Sequence, residues 1–166
     1  CKVLSENLLG EEGNGFLYAM ASLDGGRLNI AASAMGGAQA AFNQTLKYMK
    51  ERKAFGKTLD QFQALQFKLA ELEVKLESSR VFLRKAAWKL DNKQADATKF
   101  CAMAKMYVTD AAFDVANSCL QLHGGYGYLA EYGIEKIVRD LRVHQILEGT
   151  NEIMRIIVAR NLQESR

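Results

Sequence analysis

Proline is absent from this chain of 166 residues, which removes the residue that most often breaks a helix. Glycine occurs 13 times and forms clusters such as Gly25-Gly26 and Gly124-Gly125, which are typical of segment ends. Alternation with a period of two, the sign of a half-buried strand, is missing over any useful length outside the opening dozen residues. Long helices are therefore permitted, and we expect the glycine clusters to lie at the ends of helices.

Cysteine is scarce and its number is odd, because Cys1, Cys101 and Cys119 are the whole set. None of them falls in a CxxC or another short spacing of metal ligands. His123 and His144 have no recurring carboxylate spacing around them, so we predict no metal site. Reduced thiols inside a cell are the simplest interpretation.

A strong excess of one charge is also missing. The formal net charge is +3, since 22 Lys and Arg residues are interspersed with 19 Asp and Glu residues. A protein that tracks phosphates needs a basic stripe, so nucleic acid is excluded as a partner. No segment approaches the roughly 20 apolar residues that cross a bilayer, and no basic start followed by an apolar run marks an export signal. We therefore expect no membrane association and no export, and the start at Cys1 rather than methionine indicates a part of a longer protein.

Hydrophobic residues recur with helical spacing along most of the chain. The strongest pattern is a seven-residue repeat between Leu59 and Leu90, which predicts one long amphipathic helix. Its members are Phe62, Leu69, Leu76, Leu83 and Leu90, interleaved with Leu65, Leu72, Ser79 and Ala86. A second long helix is predicted to start just after Gly26 and to run to about Arg52, with mostly small residues on its inner face.

Three further helices are predicted towards the end of the chain. They cover about 96–122, about 132–141 and the residues from Thr150 onward, the last one burying Ile153, Ile156 and Ile157. With 49% hydrophobic residues the chain can bury one core without disulfides. Long helices joined by short turns predict an all-α fold, an antiparallel four-helix bundle with additional short helices.

The segment Leu147-Glu148-Gly149-Thr150-Asn151 places one carboxylate before a glycine and a helix-starting threonine. A carboxylate at a turn in apolar surroundings is a candidate general base, because desolvation raises its pKa and glycine lets a substrate approach the backbone. The plainer alternative is a helix N-cap at Thr150, a turn at Gly149 and a solvated acid near the helix dipole. Spacing alone leaves both interpretations open.

The connector between the first two long helices, residues 51–57, combines cations with an aromatic ring. In the simplest interpretation its cations complement a helix C-terminus. In the functional one, the guanidinium of Arg52 forks onto a diphosphate with Phe55 beside it. The glycine-rich residues 124–127 follow a predicted helix rather than a strand, so they do not form a dinucleotide-binding loop. No grouping of Ser, His and an acid indicates a hydrolase.

Four motifs occur together: Arg52-Lys53-Ala54-Phe55-Gly56-Lys57, Gln121-Leu122-His123-Gly124-Gly125-Tyr126-Gly127-Tyr128, Arg139-Asp140 and Ile146-Leu147-Glu148-Gly149-Thr150-Asn151-Glu152-Ile153. In this order and at this spacing they resemble the acyl-CoA dehydrogenase family, over essentially the whole chain. The resemblance implies that residues 14–166 form the C-terminal helical domain of that flavoenzyme fold, with residues 1–13 as the tail of a preceding β-domain. It also implies FAD as cofactor and an acyl-CoA thioester as substrate.

The resemblance implies that Glu148 removes the α-proton of the thioester while a hydride leaves the β-carbon for the flavin. Some family members carry the base just before the arginine of an Asp-x-x-Arg stretch, but here Gly26 occupies that position and holds no proton. Further residues are implied for FAD and substrate. Those near an FAD bound mainly by a neighbouring subunit are Arg52, Phe55, Gln63, Gln121, Gly124 and Gly125. Those near the FAD of the same subunit are Thr150 and Glu152, and those along the acyl-CoA are Asp24, Arg27 and Gly149.

Because one active site then needs two chains, the resemblance implies a homo-oligomer, either a dimer or a dimer of dimers. It also implies an electron-transferring flavoprotein as the electron acceptor, and a bacterial cytoplasm or a mitochondrial matrix as the location. Leu147 replaces an aromatic residue of many relatives, and with residues 23–27 it favours short or branched acyl chains, notably of the isobutyryl-CoA type. We expect this piece alone to bind FAD weakly and to have no turnover.

Three rival interpretations are kept. A relative that has lost dehydrogenation and serves as a binding or repair protein has no need of the acid at Glu148. An acyl-CoA oxidase shares the removal of the proton but passes electrons to oxygen, and its C-terminal region is usually longer. A plain four-helix interaction module leaves the clustering of the four motifs unexplained.

Overall fold

The computed structural model describes residues 1–164, and its regular structure is almost entirely helical. Its α-helices are α1 (Gly15–Glu51), α2 (Gln63–Asp91), α3 (Ala97–His123), α4 (Ile134–His144) and α5 (Asn151–Glu164). Short 3-10 helices lie at Ser5–Asn7, Leu59–Gln61, Gly124–Tyr128 and Ala130–Tyr132. The predicted all-α antiparallel bundle with additional short helices is therefore confirmed. Residues 165 and 166, which the sequence assigns to the same domain, lie outside the described residues.

Helix α3 lies at the centre of the bundle and packs against each of the other four α-helices. Its closest neighbour is α1, whose inner face is made of small side chains, so the two helix axes can approach closely. The fully buried alanines of α1 are Ala31, Ala34, Ala38 and Ala41. Larger side chains from several helices fill the same core, among them Phe42, Leu72, Leu76, Val108, Val115 and Ile134.

Helix α1 starts eleven positions before Gly26, at Gly15, so the prediction that it begins after the Gly25-Gly26 pair is wrong. A glycine within a helix costs only about 1 kcal/mol relative to alanine, and no proline interrupts the preceding residues. The pair therefore lies inside the helix. The effect of the pair is local, because the surface of the helix carries no side chain at these two positions.

The seven-residue repeat of α2 faces the core as predicted. Four of its members are buried, namely Leu72, Leu76, Ser79 and Ala86. A second apolar stripe runs along the opposite side of α2, also at intervals of seven residues. It consists of Phe67, Val74, Val81 and Trp88, each of which has more than half of its surface exposed. Nothing within residues 1–164 covers this stripe.

A small hairpin joins α1 to α2, and the sequence analysis did not predict it. Strand β1 (Lys53–Ala54) pairs antiparallel with β2 (Lys57–Thr58). The two residues between them, Phe55 and Gly56, have φ angles of 50° and 83°. Positive φ at both central positions is the geometry of a tight two-residue hairpin turn. The turn presents Phe55 at its tip, where the side chain is 98% exposed.

Helix α5 buries a different face from the one predicted. Ile153 and Ile156 are exposed, Ile157 is half-buried, and Met154 is the side chain without exposed surface. The reason is that Asn151, the first residue of α5, is itself buried in hydrogen bonds to α3. Met154 lies three positions after this buried first residue and so shares its face of the helix, which turns Met154 inward.

Residues 1–13 precede the bundle and are exposed. They carry the 3-10 turn Ser5–Asn7 and no strand in the described structure, and their assignment to a β-domain stays a prediction. Across the described residues, no helix combines the length and the hydropathy needed to cross a bilayer. The same residues contain no group of three His, Cys, Asp or Glu side chains placed to hold a metal ion.

Candidate functional site

The turn between α4 and α5 carries Glu148 in an unusual backbone conformation. Glu148 has a φ angle of 56° and Gly149 one of 88°, so two consecutive residues are left-handed. Glycine adopts this conformation freely, whereas a glutamate there is strained and needs support from its surroundings. A Cβ on Gly149 would also lie 2.8 Å from the Cε atom of Met154. The turn therefore requires glycine at position 149, and Glu148 keeps its left-handed conformation only with support from surrounding residues.

Hydrogen bonds to α3 hold both ends of this turn. Gln145 donates from Nε2 to Asp110 Oδ1 at 2.7 Å, and Asn151 donates from Nδ2 to the same oxygen at 2.7 Å. The backbone amide of Asn151 donates to the carbonyl of Gln145 at 3.0 Å, which closes the turn on itself. Thr150 Oγ1 accepts the amide hydrogen of Ile153 at 3.3 Å, so Thr150 caps α5 as the plainer interpretation predicted.

The carboxylate of Glu148 lies against the backbone of α1 at Gly26. A Cβ built on Gly26 would stand 2.5 Å from Glu148 Oε2 and 3.0 Å from its carboxyl carbon. Gly26 therefore makes the room that the carboxylate occupies. Glu148 is half-buried between α1 and the turn.

The helical turn around Gly26 also carries a buried ion pair. Arg27 is 7% exposed and donates from an Nη atom to Asp24 Oδ1 at 2.8 Å. The other oxygen of Asp24 accepts from Thr98 Oγ1 at 2.6 Å. The Nε atom of Arg27 is buried and has no hydrogen-bond partner among residues 1–164. The predicted substrate residues Asp24, Arg27 and Gly149 are thus brought to the region of Glu148.

Lys105 belongs to this site, and the sequence analysis missed it. It lies on α3 with no exposed surface, and its Nζ atom donates to the carbonyl oxygen of Gly149 and to Asn151 Oδ1, each at 2.8 Å. Burial lowers the pKa of Lys105 to about 8, although Asp110 opposes the shift. The available signal was a single lysine on the face that also carries Cys101 and Val108.

A second cluster lies at the other end of α1, around a cavity of about 520 Å³. Of the predicted FAD residues, Arg52, Gln121, Gly124 and Gly125 line it. A Cβ on either glycine would meet no atom within 4 Å, so both leave open space at the wall. The predicted residues Phe55 and Gln63 are exposed nearby in the sequence, but neither lines the cavity.

Aromatic side chains lie next to Arg52, the cationic residue that lines this cavity. The Arg52 guanidinium lies 5.2 Å from the ring centre of Tyr126, within the range of a cation–π contact. Tyr48 stacks on His123 with ring centres 4.2 Å apart and donates to the carbonyl of His123 at 3.2 Å. Burial raises the pKa of Tyr48, so its hydroxyl stays protonated and remains a donor at neutral pH.

The two clusters are separate sites. Gly26 and Arg52 are 26 residues apart along α1, which corresponds to about 39 Å at 1.5 Å per residue. Thr150 and Glu152, the other predicted FAD residues, lie at the turn of Glu148 rather than at the cavity. Glu152 is exposed, and hydrogen bonds from its own backbone amide and from Thr150 lower its pKa.

The sequence of this chain is similar to a known protein family and to several known proteins. The model of the acyl-CoA dehydrogenase C-terminal domain matches residues 13–163. Isobutyryl-CoA dehydrogenase of Bos taurus mitochondria is 48% identical over 162 residues, covering 98% of this chain and 39% of that protein. The caffeyl-CoA reductase–Etf complex subunit CarC of Acetobacterium woodii is 43% identical over 158 residues, covering 95% of this chain and 41% of that protein.

A solved structure agrees with these sequences. Butyryl-CoA dehydrogenase of Megasphaera elsdenii superposes with a TM-score of 0.92 at 42% identity, covering 97% of this chain and 42% of that chain. This chain therefore spans about two fifths of the length of the relatives that it matches.

The space at Gly26 can be tested with its neighbour as a control. In the intact protein, Gly26→Ala should push the Glu148 carboxylate out of its position, because the new methyl group would stand 2.5 Å from it. Gly25→Ala should leave the carboxylate in place and stabilise α1 by about 0.5–1 kcal/mol, since a Cβ there meets no atom within 4 Å. Crystal structures and urea unfolding of both variants measure the two effects. An unmoved Glu148 in Gly26→Ala would contradict the geometry.

Proposed function

The chain belongs to the acyl-CoA dehydrogenase family, as its C-terminal helical domain, and on that premise we propose that the intact protein is an FAD-dependent acyl-CoA dehydrogenase with Glu148 as its base. The observation that carries the proposal is the position of the Glu148 carboxylate against the bare backbone at Gly26, with the Asp24–Arg27 pair one turn away. A carboxylate and a buried cation whose Nε has no hydrogen-bond partner within residues 1–164 then lie at the same turn of α1.

In this proposal Glu148 acts on the acyl chain. Its carboxylate accepts the proton from the α-carbon of the thioester, and the electron pair left behind forms the new bond between the α- and β-carbons. FAD, when bound, supplies the acceptor for the hydride that leaves the β-carbon. The product is a 2,3-enoyl-CoA. Because Gly26 has no side chain, the Glu148 carboxylate can lie against the backbone of α1, where we propose that the acyl group meets it.

The cavity around Arg52 fits the diphosphate of a flavin nucleotide. Arg52 supplies a guanidinium with donors in a fixed fork, and Tyr126 holds it in place. The open wall at Gly124 and Gly125 lets a ligand approach the backbone, and Gln121 adds an amide beside it. We propose that these residues hold the diphosphate part of FAD.

The separation of the two clusters supports assembly from more than one chain. Since Arg52 lies about 39 Å from Gly26 along α1, we propose that it serves the FAD of a neighbouring subunit, while Thr150 and Glu152 serve the FAD of their own. The exposed stripe Phe67, Val74, Val81 and Trp88 and the exposed ring of Phe55 are the apolar surfaces that such a homo-oligomer would cover. A dimer or a dimer of dimers is proposed.

For the substrate we propose a short or branched acyl-CoA. Leu147 is aliphatic and half-buried beside the base, and the similarity to isobutyryl-CoA and butyryl-CoA dehydrogenases supports a small acyl group. For the electron acceptor we propose an electron-transferring flavoprotein, which the similarity to a subunit of a reductase–Etf complex supports. A bacterial cytoplasm or a mitochondrial matrix is the proposed location.

The base is tested by Glu148→Gln in the intact protein. The amide keeps the shape of the side chain but accepts no proton, so the variant should retain FAD and bind acyl-CoA while losing most of the rate of flavin reduction. The exposed Glu131 offers a matched control, and Glu131→Gln should reduce flavin at the normal rate. The rate of flavin reduction in both variants is measured by mixing each protein anaerobically with isobutyryl-CoA or butyryl-CoA and following the loss of flavin absorbance. Normal bleaching of Glu148→Gln would exclude this residue as the base.

The flavin contact of Arg52 is tested by Arg52→Ala. Loss of the guanidinium should lower the FAD content of the purified protein and weaken subunit association together, because the residue is proposed to reach the cofactor of a neighbour. Lys50→Ala, which removes an exposed cation from the last turn of α1, is the control. Flavin content and sedimentation report the two effects. A fully flavinated variant with normal assembly would contradict the contact between subunits.

A further inference from the structure

We propose that Lys105 is a positioning residue, whose buried ammonium holds the turn that carries Glu148 from inside the bundle. The inference rests on the proposed role of Glu148 as the base. Lys105 approaches the turn from α3, whereas the Glu148 carboxylate lies against α1 at Gly26.

The hydrogen bonds of Lys105 join two parts of the turn. One goes to the carbonyl of Gly149, the residue directly after Glu148, and the other goes to the side chain of Asn151, the first residue of α5. A single cation therefore ties the left-handed pair to the helix that follows. Charged donors make stronger hydrogen bonds than neutral ones, particularly where water is excluded.

The strain of the turn explains why such a hold is needed. Glu148 has a φ angle of 56°, and a residue with a side chain keeps that conformation only where its surroundings impose it. Asp110 fixes the turn at Gln145 and Asn151, which lie on either side of the strained pair. The bond from Lys105 reaches the pair itself, at the Gly149 carbonyl. Lys105 thus acts on the backbone that aims the carboxylate at Gly26.

Charged and titratable groups face Lys105 from every element around it. Arg27 lies on α1, Asp110 on α3, His144 on α4, Glu148 on the turn and Glu152 on α5. Burial lowers the pKa of Lys105 to about 8, and the three carboxylates partly oppose it while Arg27 adds to it. The ammonium is therefore present at pH 7 and is lost as the pH rises through about 8. A neutral amine then makes the weaker hydrogen bonds, so the turn should loosen at alkaline pH.

Hydrogen exchange in the unaltered full-length flavoprotein tests this without a substitution. Between pH 7 and pH 9.5, the protection factors of the amides in 145–151 should fall by about fivefold to tenfold, as expected when charged hydrogen bonds become neutral. Amides in the middle of α2 should keep their protection and serve as the internal control. Protection in 145–151 that stays constant across this range overturns the proposal.

Variants of Lys105 test whether its hydrogen bonds to the turn affect the rate of flavin reduction. Lys105→Met removes the donors at similar length, and it should lower the limiting rate of flavin reduction by acyl-CoA about 10- to 100-fold, as a misplaced catalytic group does. The half-saturating acyl-CoA concentration and the FAD content should change little. We expect the rate of the unaltered protein to fall above pH 8, and Lys105→Arg, which keeps its charge at all relevant pH values, should lack that fall. Lys99→Met, on the same helix, is the control and should behave as the unaltered protein.

The outcomes separate this inference from the proposed function. A Lys105→Met protein with the normal limiting rate and normal exchange in 145–151 overturns the positioning role. If that variant does not fold, the exchange profile of the unaltered protein decides the question. A fully active Glu148→Gln variant removes the proposed function, whereas the exchange measurement reports on Lys105 independently of turnover.

Discussion

The polar bridge between α3 and the turn before α5 is the interaction on which the site depends. Lys105 and Asn151 are buried and hydrogen-bonded to each other, and Asn151 also donates to the partly exposed Asp110. Polar groups buried in this way hold one arrangement firmly when every partner is present, because an unpaired group there is costly. The bridge keeps Glu148 in a left-handed conformation and selects which face of α5 enters the core. The position of Glu148 and the packing of α5 therefore depend on the same contacts.

Helix α1 supplies the second constraint, because it carries one cluster near each end. At Gly26 it leaves space for the Glu148 carboxylate, and at Arg52 it ends beside the cavity that we assign to flavin diphosphate. The length of a single rigid helix keeps these clusters apart. In the proposed enzyme each chain then contributes to two active sites, so catalysis and assembly depend on each other. The exposed apolar stripe of α2 agrees with that dependence.

The sequence predicted those features that follow from periodicity. The extent of α3 and the buried face of α2 agree with the structure, because repeated apolar spacing identifies both. The start of α1 was wrong, since the Gly25-Gly26 pair lies within a helix instead of ending it. The face of α5 was wrong because a buried asparagine sets it, and apolar spacing carries no information about polar anchors. Lys105 was missed for the same reason. The motifs identified the family, and the structure added the contacts that join Glu148 to Gly26.

A crystal structure of the full-length protein with FAD and a non-reacting acyl-CoA analogue tests the central claim most directly. The account predicts the α-carbon of the acyl group about 3–3.5 Å from a carboxylate oxygen of Glu148, the separation of reacting atoms in a productive complex. The acyl group should lie in the cleft between Gly26 and the turn of residues 145–150. An α-carbon that faces a different acid, with Glu148 outside contact distance, would contradict it.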